Sequence, residues 1–331
     1  MKVLLTGSDG FIGSHLAEKL VREGHEVTAL CIYNSFNSYG WIDQIQSDIR
    51  SQINLVLGDI RDASQVRSLV KGKDCVLNLA ALIAIPYSYV APDSYVQTNI
   101  QGTLNLLNAA REWDIQKFVH TSTSEVYGTA KFVPIDESHP LQGQSPYSAS
   151  KIAADQLVYS YFSSFDLPAM ILRPFNTFGP RQSARAVIPT IISQLSAGKT
   201  EISLGSLTPT RDFTYVSDTV SGFIAAMNSK GTDGEVINLG TGYEISIEET
   251  LKTIARLMDV EVELVSDPVR MRPENSEVER LLSDNSKAAR MLSWSPQMSG
   301  QEGLEQGLKK TIDWFSEASN LRMYNVDNYV V

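Results

Sequence analysis

The sequence has few cysteines and lacks any long apolar run. Its 331 residues include only two cysteines, Cys31 and Cys75, both in short apolar segments. Two isolated thiols do not make a disulfide framework, so we expect a reducing compartment. The longest apolar stretch, 76–85, is interrupted by Asn78 and falls far short of the ~20 residues that a membrane span needs. The first residues also lack the apolar core of a signal peptide, which predicts a cytoplasmic protein.

The sequence also lacks an excess of basic charge. Lys and Arg number 28 and Asp and Glu number 38, which gives a net charge of −10. This balance argues against nucleic acid or an anionic membrane as a partner, and a phosphate ligand would have to be held by local groups. At ~150 residues per domain the length indicates about two domains. We see no internal repeat and predict no metal site.

The first half alternates short apolar runs with longer amphipathic runs. The apolar runs predict buried strands at 2–6, 26–32, 53–57, 74–79, 117–121 and 169–173. The amphipathic runs predict helices at 13–23, 63–71, 94–113 and 146–165. Such alternation is typical of an α/β fold with a doubly wound parallel sheet.

After Pro174 this rhythm changes, and loops rich in Gly and Pro appear. We therefore predict a dinucleotide-binding domain over 1–175 and a smaller substrate-binding lobe over 176–331. A strand near 235–240 is expected to return to the first sheet, so the boundary is interleaved. Capping boxes at 246–249 and 299–302 predict two later helix starts. Ligands should bind between the two lobes.

A glycine-rich turn follows the first predicted strand. Gly7, Gly10 and Gly13 have the spacing G-x-x-G-x-x-G, with Phe11 and Ile12 before the last glycine. Gly7 permits a tight turn, Gly10 lets the backbone approach a pyrophosphate, and Gly13 lets the helix pack on the strand. The spacing also suits an ordinary strand–helix turn, but its place between a strand and a helix predicts a dinucleotide site.

The second predicted strand lacks the acidic residue that usually holds the adenine ribose. Cys31 occupies that position, and no nearby Lys or Arg would bind a 2′-phosphate, so we predict NAD rather than NADP. Asp59, followed by Ile60, either contacts the adenine or closes a turn. The polar candidates after the second strand, which also suit an ordinary loop, are Asn34, Ser35, Asn37 and Ser38.

Tyr147 and Lys151 lie four residues apart at the start of a predicted helix, so they share a face. A tyrosine with its ordinary pKa of ~10 is a poor base at neutral pH. A neighbouring ammonium and a positive nicotinamide ring would both lower that pKa, and Lys151 can also hold the nicotinamide ribose. Taken alone, this spacing is common on helix surfaces.

The segment 121–128 strengthens the assignment, because it carries hydroxyls and a carboxylate at the end of the fifth predicted strand. That end of a parallel strand faces the cofactor in a doubly wound sheet. Thr123 is placed to hydrogen-bond a hydroxyl that is being oxidised. Glu125 is either a second acid/base or a solvated loop acid.

Together these residues resemble the extended short-chain dehydrogenase/reductase family, in particular its nucleotide-sugar epimerases, dehydratases and decarboxylases. The resemblance covers nearly the whole chain and rests on the glycine turn, Tyr147/Lys151 and the motifs at 79–81, 99, 123, 173–176, 179–181 and 211–216. It implies a Rossmann-type sheet with bound NAD that Leu79, Ala80 and Ala81 contact. It also implies a homodimer paired through the helices at 94–113 and 146–165.

The triplet Thr123-Ser124-Glu125 narrows the choice within the family. C4-epimerases generally lack the Glu, whereas GDP-mannose dehydratases and UDP-glucuronate decarboxylases carry Thr-Ser-Glu. The segments 145–151 and 272–278 resemble those of dehydratases. The segment 80–89 is similar to the sugar 4,6-dehydratases of the legionaminic acid pathway, which act on nucleotide-linked N-acetylglucosamine. The resemblance thus favours a 4,6-dehydratase acting on a UDP- or GDP-linked hexose.

The resemblance also implies a reaction sequence. NAD takes hydride from C4 while Tyr147 takes the O4 proton, Glu125 removes the C5 proton, water leaves C6, and the hydride returns to C6. Ser124 stands where some relatives have an Asp that protonates the leaving water, so Glu125 or water would serve instead. The substrate-binding candidates are Asn176, Arg185, Arg211, Arg272 and Glu277. Among the arginines, Arg211 and Arg272 are preferred to Arg181 and Arg185, and each could instead form a surface ion pair. Glu277 would hold a ribose or pair with Arg280.

Three other functions remain open. A nucleotide-uronate decarboxylase would need a cation near C6, and none is evident in the segment around Tyr147. A C4-epimerase would share the first oxidation. A dinucleotide-sensing binding protein would tend to lack the Tyr/Lys pair, which this chain has.

Overall fold

The computed structural model describes residues 1–267 and 270–324. The strands are β1 (Lys2–Thr6), β2 (Glu26–Ile32), β3 (Asn54–Gly58), β4 (Cys75–Asn78), β5 (Lys117–Thr121), β6 (Ala169–Pro174), β7 (Asn176–Phe178), β8 (Glu201–Leu204), β9 (Thr210–Tyr215), β10 (Val236–Leu239), β11 (Glu244–Ser246) and β12 (Glu263–Ser266). The helices are α1 (Phe11–Arg22), α2 (Ser47–Arg50), α3 (Ala63–Val70), α4 (Ile85–Val90), α5 (Pro92–Tyr95), α6 (Gly102–Glu112), α7 (Pro146–Phe165), α8 (Val187–Ser196), α9 (Val216–Asn228), α10 (Ile247–Met258), α11 (Ser286–Leu292), α12 (Gly300–Ser316) and α13 (Ala318–Leu321).

Seven strands form one parallel sheet in the order β10-β6-β5-β4-β1-β2-β3. Successive residues of β1 bury into opposite faces, because Val3 and Leu5 join a core with α1 while Leu4 joins a core with α3 and α6. The predicted doubly wound fold is confirmed. The chain reverses direction across the sheet between β1 and β4, which is where such sheets bind ligands.

The second lobe is built from smaller sheets. β9 lies between β11 and β7, and β8 pairs with β12. β10 leaves this lobe and pairs with β6 in parallel, as expected of the returning strand. The division at 175/176 stays a prediction, and the part of this lobe beyond residue 324 lies outside the described residues. Within the described chain, no helix is both long enough and apolar enough to cross a membrane.

Most sequence boundaries agree with the structure to within about two residues, and the helix expected at 94–113 runs without a break from α5 through a π-helical segment, Val96–Gln101, to α6. One of the two predicted capping boxes was wrong. The capping box at 246–249 is present, whereas the hydroxyl of Ser299 caps nothing in the first turn of α12. The first turn of α12 therefore begins without a side-chain cap from Ser299.

Candidate active site

The carboxyl end of β5 leads directly into the candidate catalytic segment. Thr123 N-caps a short 3₁₀ turn, Ser124–Tyr127, and its hydroxyl accepts a hydrogen bond from the Glu125 amide at 3.2 Å. Ser124 is buried, and Glu125 is only 8% exposed. The turn therefore holds a carboxylate at the edge of the sheet, where a doubly wound fold places its ligands.

The start of α7 positions Tyr147 and Lys151. Ser145 N-caps the helix, and its hydroxyl accepts from the Ser148 amide while the Ser148 hydroxyl accepts from the Ser145 amide. Sequence analysis missed this capping box because it has a serine where the usual motif has Glu or Gln. Pro146 occupies the first turn, where a missing N–H costs nothing. Ser145 and Pro146 before Tyr147, and Ser148 after it, thus fix the start of this helix.

Tyr147 is brought together with Thr123 and Glu125. Burial raises the pKa of Tyr147, a hydrogen bond with the Thr123 hydroxyl lowers it, and the Glu125 charge raises it further. The net shift is upward, which is opposite to the lowering expected from the sequence. The reason is that burial disfavours the phenolate more than any nearby group supports it. Tyr147 is therefore a neutral phenol in the chain without ligands.

Lys151 lies one helical turn beyond Tyr147 and is also buried. Its Nζ donates to the Thr121 carbonyl at 2.6 Å and lies 3.5 Å from Nε2 of His120. Burial lowers the pKa of Lys151 to about 8, and the Asp155 carboxylate works in the opposite direction. Because that pKa is close to neutrality, burial of the charged form of Lys151 substantially lowers the free energy of unfolding.

A buried polar network lies behind Lys151, and sequence analysis missed it. The Asp155 carboxylate accepts from Arg173 Nη2 at 3.0 Å and from the Ser122 hydroxyl at 2.7 Å. His120 lies between Lys151 and Asp155, with Nε2 3.6 Å from Asp155 Oδ1. Burial lowers the pKa of His120 well below its ordinary value, so the ring is neutral. The available signal was a histidine inside an apolar strand just before the hydroxyl-rich segment.

Two arginines of the second lobe meet two carboxylates near Glu125. Nη1 of Arg272 lies 3.8 Å from Glu125 Oε2 and 3.6 Å from Glu277 Oε1. Arg211 is buried and its Nη2 lies 3.3 Å from Glu277 Oε1. The alternative pairing of Glu277 with Arg280 was wrong, because Arg280 binds Glu244 instead. Glu277 thus joins the two candidate phosphate-binding arginines.

The remaining substrate candidates, Arg181, Arg185 and Asn176, differ in their contacts and in their exposure. Arg181 forms an ion pair with Glu18 at 2.8 Å and so connects the second lobe to α1. Arg185 is exposed and lies near enough to Tyr95 to lower the pKa of that phenol against a larger upward effect of burial. Asn176 has a buried side-chain oxygen without a hydrogen-bond partner among the described residues. Such an atom is a candidate ligand contact.

The glycine turn has the features that a dinucleotide requires. Gly7 has a φ of +68°, and a Cβ there would lie 2.8 Å from the Ala80 amide nitrogen. A Cβ on Gly13 would lie 2.1 Å from the Gly7 carbonyl oxygen. No side chain caps the first turn of α1, so the N–H groups around Phe11 and Ile12 have no side-chain acceptor within the described residues. The turn and helix start therefore fit a pyrophosphate.

The other cofactor candidates lie around this turn. The amides of Leu79 and Ala80, followed by Ala81, reach the edge of the sheet, and both donate to the Thr6 hydroxyl at 3.1 Å. Beyond them, Asn99 in the π-helical segment accepts from the Leu82 amide and donates to the Leu82 carbonyl, both at 2.9 Å. These bonds fix the strand-to-helix connection beside the turn.

Two polar candidates near β2 and β3 are already satisfied by the protein. The Asn34 side chain bonds the backbone of Ile32, Phe36 and Ser38, while Ser35 is exposed. The Asp59 carboxylate accepts from Arg61 at 2.9 Å, which lowers its pKa, while Ile60 is buried. These bonds agree with the loop interpretation of Asn34 and the turn interpretation of Asp59, and the cofactor contacts of both residues stay predictions.

Comparison with known proteins places this chain among nucleotide-sugar enzymes. A family model described as GDP-mannose 4,6 dehydratase matches residues 4–307. Human dTDP-D-glucose 4,6-dehydratase is 33% identical over 325 residues, which cover 96% of this chain and 90% of that protein. UDP-N-acetyl-alpha-D-glucosaminuronate decarboxylase of Bacillus cytotoxicus is 34% identical over 329 residues, which cover 96% and 99%. A structure of Streptomyces venezuelae dTDP-glucose 4,6-dehydratase, a double mutant with NAD bound, has a TM-score of 0.85 and 28% identity over 96% of this chain and 98% of that one.

Proposed function

The chain belongs to the GDP-mannose 4,6-dehydratase family, and from this premise we propose that it is an NAD-dependent nucleotide-sugar 4,6-dehydratase. The observation that carries the proposal is the buried carboxylate of Glu125 beside Tyr147 and Thr123. Oxidation at C4 alone needs a base for O4, whereas elimination needs a second base for C5. Two buried acid/base groups at one site meet both requirements.

The glycine turn and the start of α1 would hold the pyrophosphate of NAD, because Gly7 permits the tight turn and the first turn of α1 has no side-chain cap. When bound, NAD supplies a hydride acceptor for the C4 carbon and a hydride donor for C6. The solved relative from Streptomyces venezuelae holds NAD in a similar fold. Lys151 is placed to hold the nicotinamide ribose with the donor positions that Thr121 does not use.

Tyr147 takes the proton from the C4 hydroxyl in this mechanism, and Thr123 orients that hydroxyl. The raised pKa of the buried phenol has to fall before Tyr147 can act as a base. We expect the positive charges of Lys151 and of a bound nicotinamide ring to favour the phenolate when the site is occupied. Asp155 and Arg173 hold the surrounding network in place and are positioning residues, because neither lies at the reacting atoms.

Glu125 removes the C5 proton once C4 carries a ketone. Elimination then releases the C6 hydroxyl as water, which needs one proton. Ser124 cannot readily supply that proton, so Glu125 returns the one it removed from C5, or a water molecule supplies it. The product is a 4-keto-6-deoxy sugar, with no net oxidation or reduction.

The substrate is proposed to be a nucleotide-linked N-acetylglucosamine. Arg211 and Arg185 supply cations in an acidic protein, and a guanidinium suits bidentate binding of a diphosphate. The partnerless Asn176 oxygen offers an acceptor for a sugar hydroxyl or amide N–H. Glu277 orients Arg211 from a distance of 3.3 Å.

One observation favours a second candidate, a nucleotide-uronate decarboxylase. Such an enzyme needs a cation near C6, and Arg272 Nη1 lies 3.8 Å from the Glu125 carboxylate. The sequence around Tyr147 did not reveal this cation, because Arg272 comes from a distant part of the chain. The relative from Bacillus cytotoxicus is named as a decarboxylase of a related uronic acid.

The test is incubation of the purified chain with UDP- and GDP-linked N-acetylglucosamine, dTDP-glucose, GDP-mannose and UDP-glucuronate, with each product weighed by mass spectrometry. We expect loss of one water from an N-acetylglucosamine nucleotide. Loss of carbon dioxide from the uronate would establish the second candidate instead. An unchanged mass with inversion at C4 would identify an epimerase, and both results would reject the dehydratase. Tyr147→Phe serves as the inactive control.

We also propose that the chain forms a homodimer through α7 and the segment from α5 to α6. Val96 and Tyr159 are 52% and 51% exposed on these elements, so each could be buried by a second copy of the chain. A two-fold interface would bury the same face of both copies. Light scattering should give a dimer mass, Tyr159→Glu should give a monomer, and Ser164→Glu should remain dimeric. A monomer mass for the unchanged protein would reject the interface.

A further inference from the structure

The end of β2 has no carboxylate of its own for an adenosine ribose. Cys31 is fully buried, and burial raises the pKa of its thiol to about 12, so it is neither charged nor accessible. In the loop that follows, the Asn34 amide group is used within the loop and Ser38 donates to Asp43 at 3.2 Å. A carboxylate partner for the ribose would therefore have to come from another element.

A carboxylate from the glycine turn reaches this place. Asp9 lies between Gly7 and Gly10, and its Oδ1 accepts from the Ile32 amide, directly after Cys31, at 3.3 Å. β1 and β2 are parallel neighbours, so their carboxyl ends lie side by side. The turn after β1 can thus place a side chain where β2 ends.

The backbone around Asp9 is fixed. Its carbonyl oxygen accepts from the Trp41 amide at 3.0 Å, and a Cβ on Gly40 would lie 2.6 Å from that oxygen. Gly40 also has a φ of +60°, so the chain passes here in a conformation that favours glycine. The close packing of 40–41 against the turn keeps the Asp9 side chain on the side of β2.

The electrostatic surroundings leave the Asp9 carboxylate able to accept further hydrogen bonds. Burial raises its pKa, and backbone amides of Asp9 and Ile32 lower it. A carboxylate has roughly four acceptor positions. Among the described residues, no Lys or Arg side chain forms an ion pair with it.

We infer that Asp9 accepts hydrogen bonds from the adenosine ribose hydroxyls of the bound dinucleotide and, by its charge, excludes a 2′-phosphate. This inference rests on the proposed NAD-binding function. The N-terminus of α1 carries a positive partial charge that suits the pyrophosphate, whereas the Asp9 carboxylate faces the end of β2 and suits the ribose. The same short turn thus offers groups of opposite charge to two parts of the dinucleotide. A 2′-phosphate would be repelled by the Asp9 carboxylate, which forms no ion pair with a Lys or Arg among the described residues.

The experiment measures dissociation constants for NAD, NADP and the 2′-deoxyadenosine analogue of NAD on the full chain stripped of nucleotide. The variant is Asp9→Asn. Asp48→Asn is the matched control, since it removes one negative charge from an exposed site on α2. Calorimetric titration gives the constants without any need for turnover, and circular dichroism checks that each variant is folded.

We expect the unchanged protein to bind NAD at least about tenfold more tightly than NADP or the 2′-deoxy analogue. In Asp9→Asn the NAD constant should rise about tenfold, and the preference over both other nucleotides should shrink. Asp48→Asn should match the unchanged protein. Equal behaviour of the two variants, or equal binding of NAD and NADP by the unchanged protein, would overturn the inference.

Failure of the proposed function is distinguishable, because the unchanged protein would then bind neither NAD nor NADP. If Asp9→Asn does not fold, the dissociation constants of NAD, NADP and the 2′-deoxy analogue for the unchanged protein still test the inference. Weak binding of both NADP and the 2′-deoxy analogue supports Asp9, and tight binding of either one refutes it.

Discussion

Replacing Lys151 with methionine removes a buried ammonium but keeps a long side chain at the same place. In the folded chain, burial lowers the pKa of Lys151 to about 8 despite the opposing charge of Asp155. An unfolded chain leaves the same group in water, with its ordinary pKa of ~10.4. Below pH 8 the folded chain therefore carries an ammonium that would be more stable in water.

The size of this effect follows from the two pKa values. Each tenfold change in proton affinity corresponds to ~1.36 kcal/mol, so a drop from 10.5 to about 8 costs the folded chain about 3 kcal/mol at neutral pH. Between the two values the unfolded chain binds more protons, so this cost falls as pH rises. Between pH ~7.5 and ~9.5 it should decline by about 2 kcal/mol. Lys151→Met is expected to be inactive and, relative to the unchanged protein, most stabilised at the lower pH.

The assay is urea unfolding of nucleotide-free protein at several pH values, for the unchanged chain, Lys151→Met and Lys252→Met. Comparing variants cancels the contributions of other titrating groups. Lys252 is exposed, so its removal should leave the pH dependence of the unchanged chain in place. If the stability difference between Lys151→Met and the unchanged chain is the same at both ends of this range, the reasoning about burial is refuted.

Two further substitutions test interactions around the site, namely the N-cap of α7 and the ion pair between Arg181 and Glu18. Ser145→Ala removes the cap of α7 and should lower the free energy of unfolding by about 1 kcal/mol, with a fall in kcat because Tyr147 loses its fixed helix start, as denaturation and steady-state assays would show. An unchanged kcat would contradict that link. Arg181→Met should lower stability by about 1–3 kcal/mol, because it leaves Glu18 partly buried without its partner. It should leave the KM for the nucleotide sugar within about twofold, and a large rise in KM would restore Arg181 as a ligand contact.

The parallel sheet was predictable because its strands are short apolar runs separated by amphipathic helices. β1, β2 and β5 begin and end where the sequence indicates, and so does α7. These elements depend on local periodicity, which the sequence displays directly.

The π-helical segment within the helix predicted at 94–113 was not predictable in the same way. The Asn99 side chain in this segment bonds the backbone of Leu82 and the Ser150 hydroxyl. Both partners are distant in sequence, and the amphipathic pattern of 94–113 carries no sign of them. A π-helical segment of this kind often marks a functional site.

Charged partners were the least predictable part of the site. Arg181 and Arg272 look alike as cations in the second lobe, yet one pairs with Glu18 on α1 and the other lies beside Glu125. The role that we propose for Asp9 was not predicted, because the acid that usually holds the adenosine ribose lies at the end of the second strand and not in the glycine turn.

The most direct test of the central claim is the reaction of Glu125→Gln with the nucleotide sugar that the unchanged protein dehydrates. The claim is that Tyr147 and Thr123 serve O4 while Glu125 serves C5. The variant should still oxidise C4, visible as absorbance of reduced nicotinamide, but the sugar should lose no water and exchange no C5 hydrogen in deuterated solvent. Full turnover by Glu125→Gln to the 4-keto-6-deoxy product would contradict the claim.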